Sequence, residues 1–124
     1  MIRFALAFGF AVVAAGVAGA QSVKLSGTEI DILLSGNTAV GQWEGVPYRQ
    51  FFGKDGVTIF ADKDIRSSRG EWRFERDEYQ SIWPSDTTWE GWFVLEYAGE
   101  WFWVSKSTPP TPFVVLEGEQ LVEP

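Results

Sequence analysis

Gly70-Glu71-Trp72-Arg73-Phe74-Glu75 alternates large aromatic side chains with charged ones at every second position. Successive side chains of a β-strand point to opposite faces. Trp72 and Phe74 therefore share one face, while Glu71, Arg73 and Glu75 share the other. The charged face reads as solvated and the aromatic face as turned toward a core. The same period runs outward in both directions. Runs rich in β-branched and aromatic residues predict strands over 38–44, 48–53, 57–62, 71–76, 79–83, 89–97, 100–106 and 113–117. Turn residues punctuate them: Lys54-Asp55-Gly56, Arg76-Asp77-Glu78 and Ala98-Gly99 make tight connections. Connections this short imply sequential antiparallel pairing. Eight strands in about 85 residues suit an all-β fold, a small antiparallel up-and-down β-barrel closed to eliminate its edges.

One segment breaks the period. In Leu25-Ser26-Gly27-Thr28-Glu29-Ile30, Ser26 fits an N-cap and Glu29 the N3 position of a capping box. Leu25 and Ile30 are placed to form a hydrophobic staple, and Glu29 and Asp31 complement the helix dipole. Ile30, Leu33 and Leu34 follow at helical spacing, and Gly36 suits the position after the helix end. A short helix over 27–35 is expected to cover an apolar surface ahead of the barrel.

The segment 89–106 admits two registers. A two-residue turn at Ala98-Gly99 pairs Tyr97 with Glu100 and puts Trp92, Trp101 and Trp103 on one face with Glu90 and Glu96. A three-residue turn instead groups Trp89, Phe93, Leu95, Trp101 and Trp103. A slip of one residue exchanges the faces. Alanine at positive φ disfavours the first, and Glu96 opposite Glu100 disfavours the second.

Several segments together resemble a known group. Residues 30–37 (IDILLSGN), Tyr48-Arg49-Gln50-Phe51-Phe52 followed by Lys54-Asp55-Gly56, Gly70-Glu71-Trp72-Arg73-Phe74, and Trp83-Pro84 occur in this order. The pattern resembles small exported proteobacterial proteins of unknown function with a lipocalin-like or related small β-barrel. The resemblance implies export and a barrel, and it brings no activity. It also implies cysteines near the positions of Gln80 and Gly91, so that both partners of one disulfide are absent here together.

Composition narrows the chemistry. The 124 residues hold 17 Asp+Glu against 10 Lys+Arg, with no His and no Cys. The usual general base, thiolate nucleophile and zinc ligands are thus missing. An acidic balance argues against nucleic acid and anionic lipid surfaces as partners. Residues 1–20 carry one charge, Arg3, before an apolar run ending Ala18-Gly19-Ala20. That is the pattern of a secretory signal peptide cleaved after Ala20. A membrane anchor is the competing reading, but the run is rich in Gly and Ala and no basic stop-transfer cluster follows. A single domain, 21–124, is then expected in the periplasm or outside the cell, as a monomer without stable membrane insertion. All seven Trp and all three Tyr belong to it. Each buried aromatic hides about 150–250 Å², worth at most about 4–6 kcal/mol. Aromatics can therefore take the place of disulfides in holding a small exported core. The Pro-rich stretch 107–112 is an extended crossing before the last strand, and the acidic residues 118–124 are expected to be loosely held.

The candidate chemistry is correspondingly limited. Glu90, Glu96 and Glu100 could form a glycosidase-type carboxylate pair, but acidic strand residues mainly confer solubility. Asp55, Asp62 and Asp64 could offer oxygen ligands to calcium, but Lys63, Arg66 and Arg69 would repel the cation. No metal site and no cofactor are expected. The Trp-rich hairpin supports binding instead: Trp92, Trp101 and Trp103 could stack on a ring or face a cationic group, or simply fill the core. Arg49, between Tyr48 and Phe51, could anchor an acidic ligand, though its stem can equally pack while its head reaches water. The expectation is a non-enzymatic barrel that binds a small ligand or an envelope protein. A purely structural or stress-related envelope component is the alternative, and a carboxylate-based glycan hydrolase the third.

Overall fold

In a computed structural model, which describes residues 21–63 and 67–122, eight strands form a closed antiparallel barrel. They are β2 (Thr38–Trp43), β3 (Val46–Phe52), β4 (Val57–Asp62), β5 (Ser68–Glu75), β6 (Glu78–Ile82), β7 (Glu90–Tyr97), β8 (Glu100–Val104) and β9 (Thr111–Leu116). Each pairs with the next in the chain. The ring closes because β2 pairs with β3 on one side and with β9 on the other. Closure removes the free edges that an open sheet of these strands would expose. A two-residue strand, β1 (Val23–Lys24), adds to β7 where β6 leaves off, with Val23 opposite Glu96 and Lys24 opposite Leu95. The expected signal peptide, 1–20, lies outside the described residues.

Three of the hairpins turn on two residues. Glu44-Gly45, Arg76-Asp77 and Ala98-Gly99 connect Trp43 to Val46, Glu75 to Glu78 and Tyr97 to Glu100. Glu44, Arg76 and Ala98 each take φ between 52° and 55°. A left-handed non-glycine residue costs on the order of 1–2 kcal/mol. The twist of such turns nevertheless matches the twist of the strands they join. At Ala98 the cost also secures register. With Tyr97 opposite Glu100, Val94 faces inward and is fully buried, and Trp103 is 6% exposed. The one-residue slip would turn Val94 and Trp92 outward.

The helix α1 (Gly27–Leu34) carries the capping box expected of it. Ser26 Oγ accepts from the Glu29 amide at 3.2 Å, and the Ser26 amide donates to Glu29 Oε1 at 2.8 Å. Its apolar stripe, Ile30 and Leu34, is fully buried and joins Leu25 in the core. The helix packs on β5 and β6, across the end of the barrel that holds their turn. Contact is close enough that Gly27 is required: a Cβ there would collide with the backbone carbonyl oxygen of Arg76 and come within 2.7 Å of the Phe74 ring. Asp77 Oδ1 accepts from the Gly27 amide at 3.0 Å, fixing the helix start to that turn.

Beneath this plug the core is aromatic. Fully buried Phe52 sits 5.5 Å from Trp72, 5.6 Å from Tyr79 and 6.2 Å from Trp103, centroid to centroid. The Trp72 indole N–H donates to the Gly53 carbonyl at 2.8 Å, so the ring is buried without an orphaned donor. Trp103 stacks on Phe113 at 4.0 Å.

The segment after β9 differs from expectation, because 118–120 is clasped to the outer wall. Thr38 Oγ1 donates to the Gly118 carbonyl at 2.7 Å and accepts from the Gln120 amide at 2.9 Å. Asn37 Oδ1 accepts from the Gly118 amide at 3.1 Å, and Arg49 donates to the Gln120 carbonyl at 2.8 Å. Composition suggested a loose tail. Fixed partners on β2 and β3 satisfy its backbone instead.

Candidate functional site

The end of the barrel opposite α1 holds a cavity of about 460 Å³, within the range of small-molecule sites. Strand alternation places its lining. On β3, Tyr48 and Gln50 point inward with Phe52, while Arg49 and Phe51 point out. On β6 the inward pair is Tyr79 and Ser81, and on β7 it is Glu90 and Trp92, which lie opposite Ser81 and Tyr79. The deep surface consists of the buried residues Tyr48, Gln50, Tyr79, Ser81 and Trp103. Half-exposed rings wall the upper part: Trp43, Phe60, Trp83 and Trp92. Glu90, with Ser68, Pro84 and Ser85, lies at the mouth.

The walls meet at near right angles. Trp43 and Trp92 make an edge-to-face pair at 5.7 Å and 80°, and Phe60 and Trp83 another at 6.3 Å and 82°. Phe60 also stacks on Tyr48 at 5.2 Å. These contacts hold the rings that wall the cavity.

The deep surface is a polar network with defined donors. Thr58 Oγ1 spends its proton on the Phe51 carbonyl at 2.9 Å, so its contact with Gln50 must be accepted from the amide Nε2, also at 2.9 Å. Gln50 Nε2 donates a second bond to the Tyr79 hydroxyl at 3.0 Å. The Trp103 indole N–H donates to the Tyr48 hydroxyl at 3.0 Å. Burial pushes the Tyr79 phenol up to about 12, against the opposing hydrogen bonds of Ser81 and Gln50, and the negative charge of Glu90 adds to the rise. Burial likewise raises Tyr48, partly offset by the Trp103 hydrogen bond. Both phenols stay neutral near pH 7, so the deep surface offers neutral hydrogen-bonding groups.

The structure separates the residues singled out from the sequence. Trp92 and Trp103 line the cavity. Trp101 shares their inward face, opposite Glu96 and Phe113, but lines a different crevice nearer the β7–β8 turn. Arg49 is turned to the outer wall, where it holds the C-terminal segment, and it does not reach the cavity. The two-residue register places the three Trp with Glu90 and Glu96, and that shared face is the interior of the barrel. Patch and core, opposed as alternatives from the sequence, are thus two depths of one surface.

The other chemistries do not assemble. Glu90 and Glu96 are six residues apart on one strand, on the order of 20 Å, beyond the separation of a glycosidase pair. Glu100 pairs with Tyr97, on the opposite side of the sheet from Glu96. Asp55 caps the β3–β4 turn by accepting from the Val57 amide, at the far end of the barrel from Asp62; Asp64 lies outside the described residues. Among the described residues no three acidic side chains gather as metal ligands.

Sequence reasoning missed Tyr48, Gln50, Phe60, Tyr79, Ser81 and Trp43 as cavity residues. A signal was present in the uncharged polar residues at inward strand positions, Gln50 and Ser81, where a filled core would carry apolar ones.

Comparison with family models, with curated proteins and with solved structures finds no match to this chain. The class that fold and site define is therefore a small closed antiparallel β-barrel, plugged by a helix at one end and holding a ligand-sized aromatic cavity at the other.

Proposed function

We propose that the protein is an exported, non-catalytic binder of a small ring-bearing organic molecule, taken into the cavity at the open end of the barrel. One observation carries the reading: a cavity of about 460 Å³ whose aromatic walls stand over a neutral, hydrogen-bonded polar floor. A protein that needed only a stable barrel would fill this end with side chains. Aromatic faces provide contact area, and the floor orients a bound hydroxyl or carbonyl. Absence of His and Cys from the sequence supports binding over catalysis. The leader-like pattern of residues 1–20 and the resemblance to exported lipocalin-like proteins support a periplasmic or secreted location.

The test is titration with N-phenyl-1-naphthylamine, a neutral ring-bearing reporter that brightens in apolar surroundings. Saturable one-to-one enhancement is expected. Ser81→Phe, which grows a ring into the cavity, should abolish it while the thermal unfolding transition persists. Absence of saturable binding to the unsubstituted protein would refute the reading and favour a structural envelope role. Fractionation and N-terminal sequencing check the location, with Gln21 the expected first residue.

A further inference from the structure

Resting on that reading, we infer that the cavity selects a ligand carrying a positive charge, an organic ammonium held between the tryptophan walls and Glu90.

Charge at the site points one way. Among the described residues, Glu90 is the only one lining the cavity that belongs to the charged types Asp, Glu, Lys and Arg. The other polar groups there are hydroxyls, an amide and indole N–H groups, and burial keeps both phenols neutral. An anionic ligand would meet only repulsion from Glu90, whereas an ammonium would gain a partner. The whole chain, at net −7, raises the local concentration of cations over anions.

Geometry points the same way. A cation is attracted to the negative face of an aromatic ring, and two rings set at right angles present such faces from two directions. Trp43 with Trp92, and Phe60 with Trp83, form two corners of this kind.

The outer wall shows how this chain treats exposed aromatic faces elsewhere. The Arg73 guanidinium lies 4.0 Å over the Trp89 ring, and the Lys24 ammonium lies 4.4 Å over Phe93. These two outer rings are covered by the chain's own cations. Among the described residues no lysine or arginine lines the cavity, and the tryptophans there carry no cation of the chain's own.

The experiment compares three probes of one shape and different charge: phenyltrimethylammonium, neutral tert-butylbenzene and anionic benzenesulfonate. Binding is followed by the indole N–H resonances of the protein in nitrogen-15 spectra. The ammonium should bind about tenfold more tightly than its neutral isostere, the combined effect of ring faces and one carboxylate. It should shift the indole signals of Trp43, Trp92 and Trp103. Glu90→Gln should reduce ammonium affinity severalfold and narrow the gap between the ammonium and its neutral isostere. Equal or tighter binding of the neutral or anionic probe would overturn the charge selectivity while leaving the cavity reading intact. Failure of all three probes to move any cavity indole at millimolar concentration would overturn both.

Discussion

Gly27→Ala sets intrinsic helix propensity directly against packing. At an ordinary helical position the change is favourable, by up to about 1 kcal/mol. Here the added methyl would fall on the carbonyl oxygen of Arg76 and within 2.7 Å of Phe74 Cδ2. The oxygen belongs to the backbone of a two-residue turn whose first residue is already left-handed, so it has little freedom to retreat. The helix must move instead. Overpacking of this kind costs about 1–3 kcal/mol. Displacing the Gly27 amide from Asp77 Oδ1 forfeits a hydrogen bond to a charged group, about 1.5–3 kcal/mol more. After the propensity gain of up to about 1 kcal/mol is subtracted, the net expectation is a loss of about 1.5–5 kcal/mol. In a domain of this size that lowers Tm by about 6 °C at the least. Thermal unfolding followed by far-ultraviolet circular dichroism, with urea midpoints as a second measure, reads the effect. Thr28→Ala, one position along the same helix, serves as the control and should change stability little. An unchanged or raised Tm for Gly27→Ala would refute the docking of α1 against the β5–β6 turn.

Thr38→Val keeps shape but removes both hydrogen bonds to Gly118 and Gln120; a loss of about 1–2 kcal/mol is expected, with faster amide exchange confined to 117–122. Burial of Tyr79 predicts alkaline sensitivity. Its folded value of about 12 lies above the ordinary 10.0, so the associated stability is full below pH 10 and lost as pH rises through 12. About 3 kcal/mol is at stake, checked by urea unfolding at stepped pH, and Tyr79→Phe should flatten that part of the profile. Gln80 and Gly91 face each other directly across β6 and β7, so Gln80→Cys with Gly91→Cys should form a disulfide on air oxidation. Closing that short loop should stabilise by about 3 kcal/mol, provided the Glu78 side chain swings aside; failure to oxidise would contradict the register.

Local signals survived into the structure where local forces suffice. The capping box at Ser26 and Glu29, the alternation of Trp72 and Phe74 with charges, and the turns after Gly53, Glu75 and Tyr97 depend on neighbours a few residues away. They located the helix and all eight barrel strands. Register at Ala98-Gly99 did not follow from local preference, because alanine resists positive φ. Burial of Val94 and Trp103 across the barrel outweighed that resistance.

The same division applies to the site. Counting tryptophans drew attention to Trp92 and Trp103, which line the cavity, yet it could not distinguish them from Trp101, which shares their face at a different depth. Arg49 was a ligand candidate by its place among Tyr48, Phe51 and Phe52, and in the fold it clasps Gln120, a partner 71 residues away in sequence. Tyr48, Gln50, Tyr79 and Ser81 are unremarkable singly and become a polar floor only when β3 and β6 are brought together by closure. Sequence alone determined the period, the cap, the turns and the excess of aromatics, since these are properties of adjacent residues. Tertiary structure decided which end is plugged, which end is open and which rings face the opening, because a cavity consists of contacts between strands that the chain itself keeps far apart.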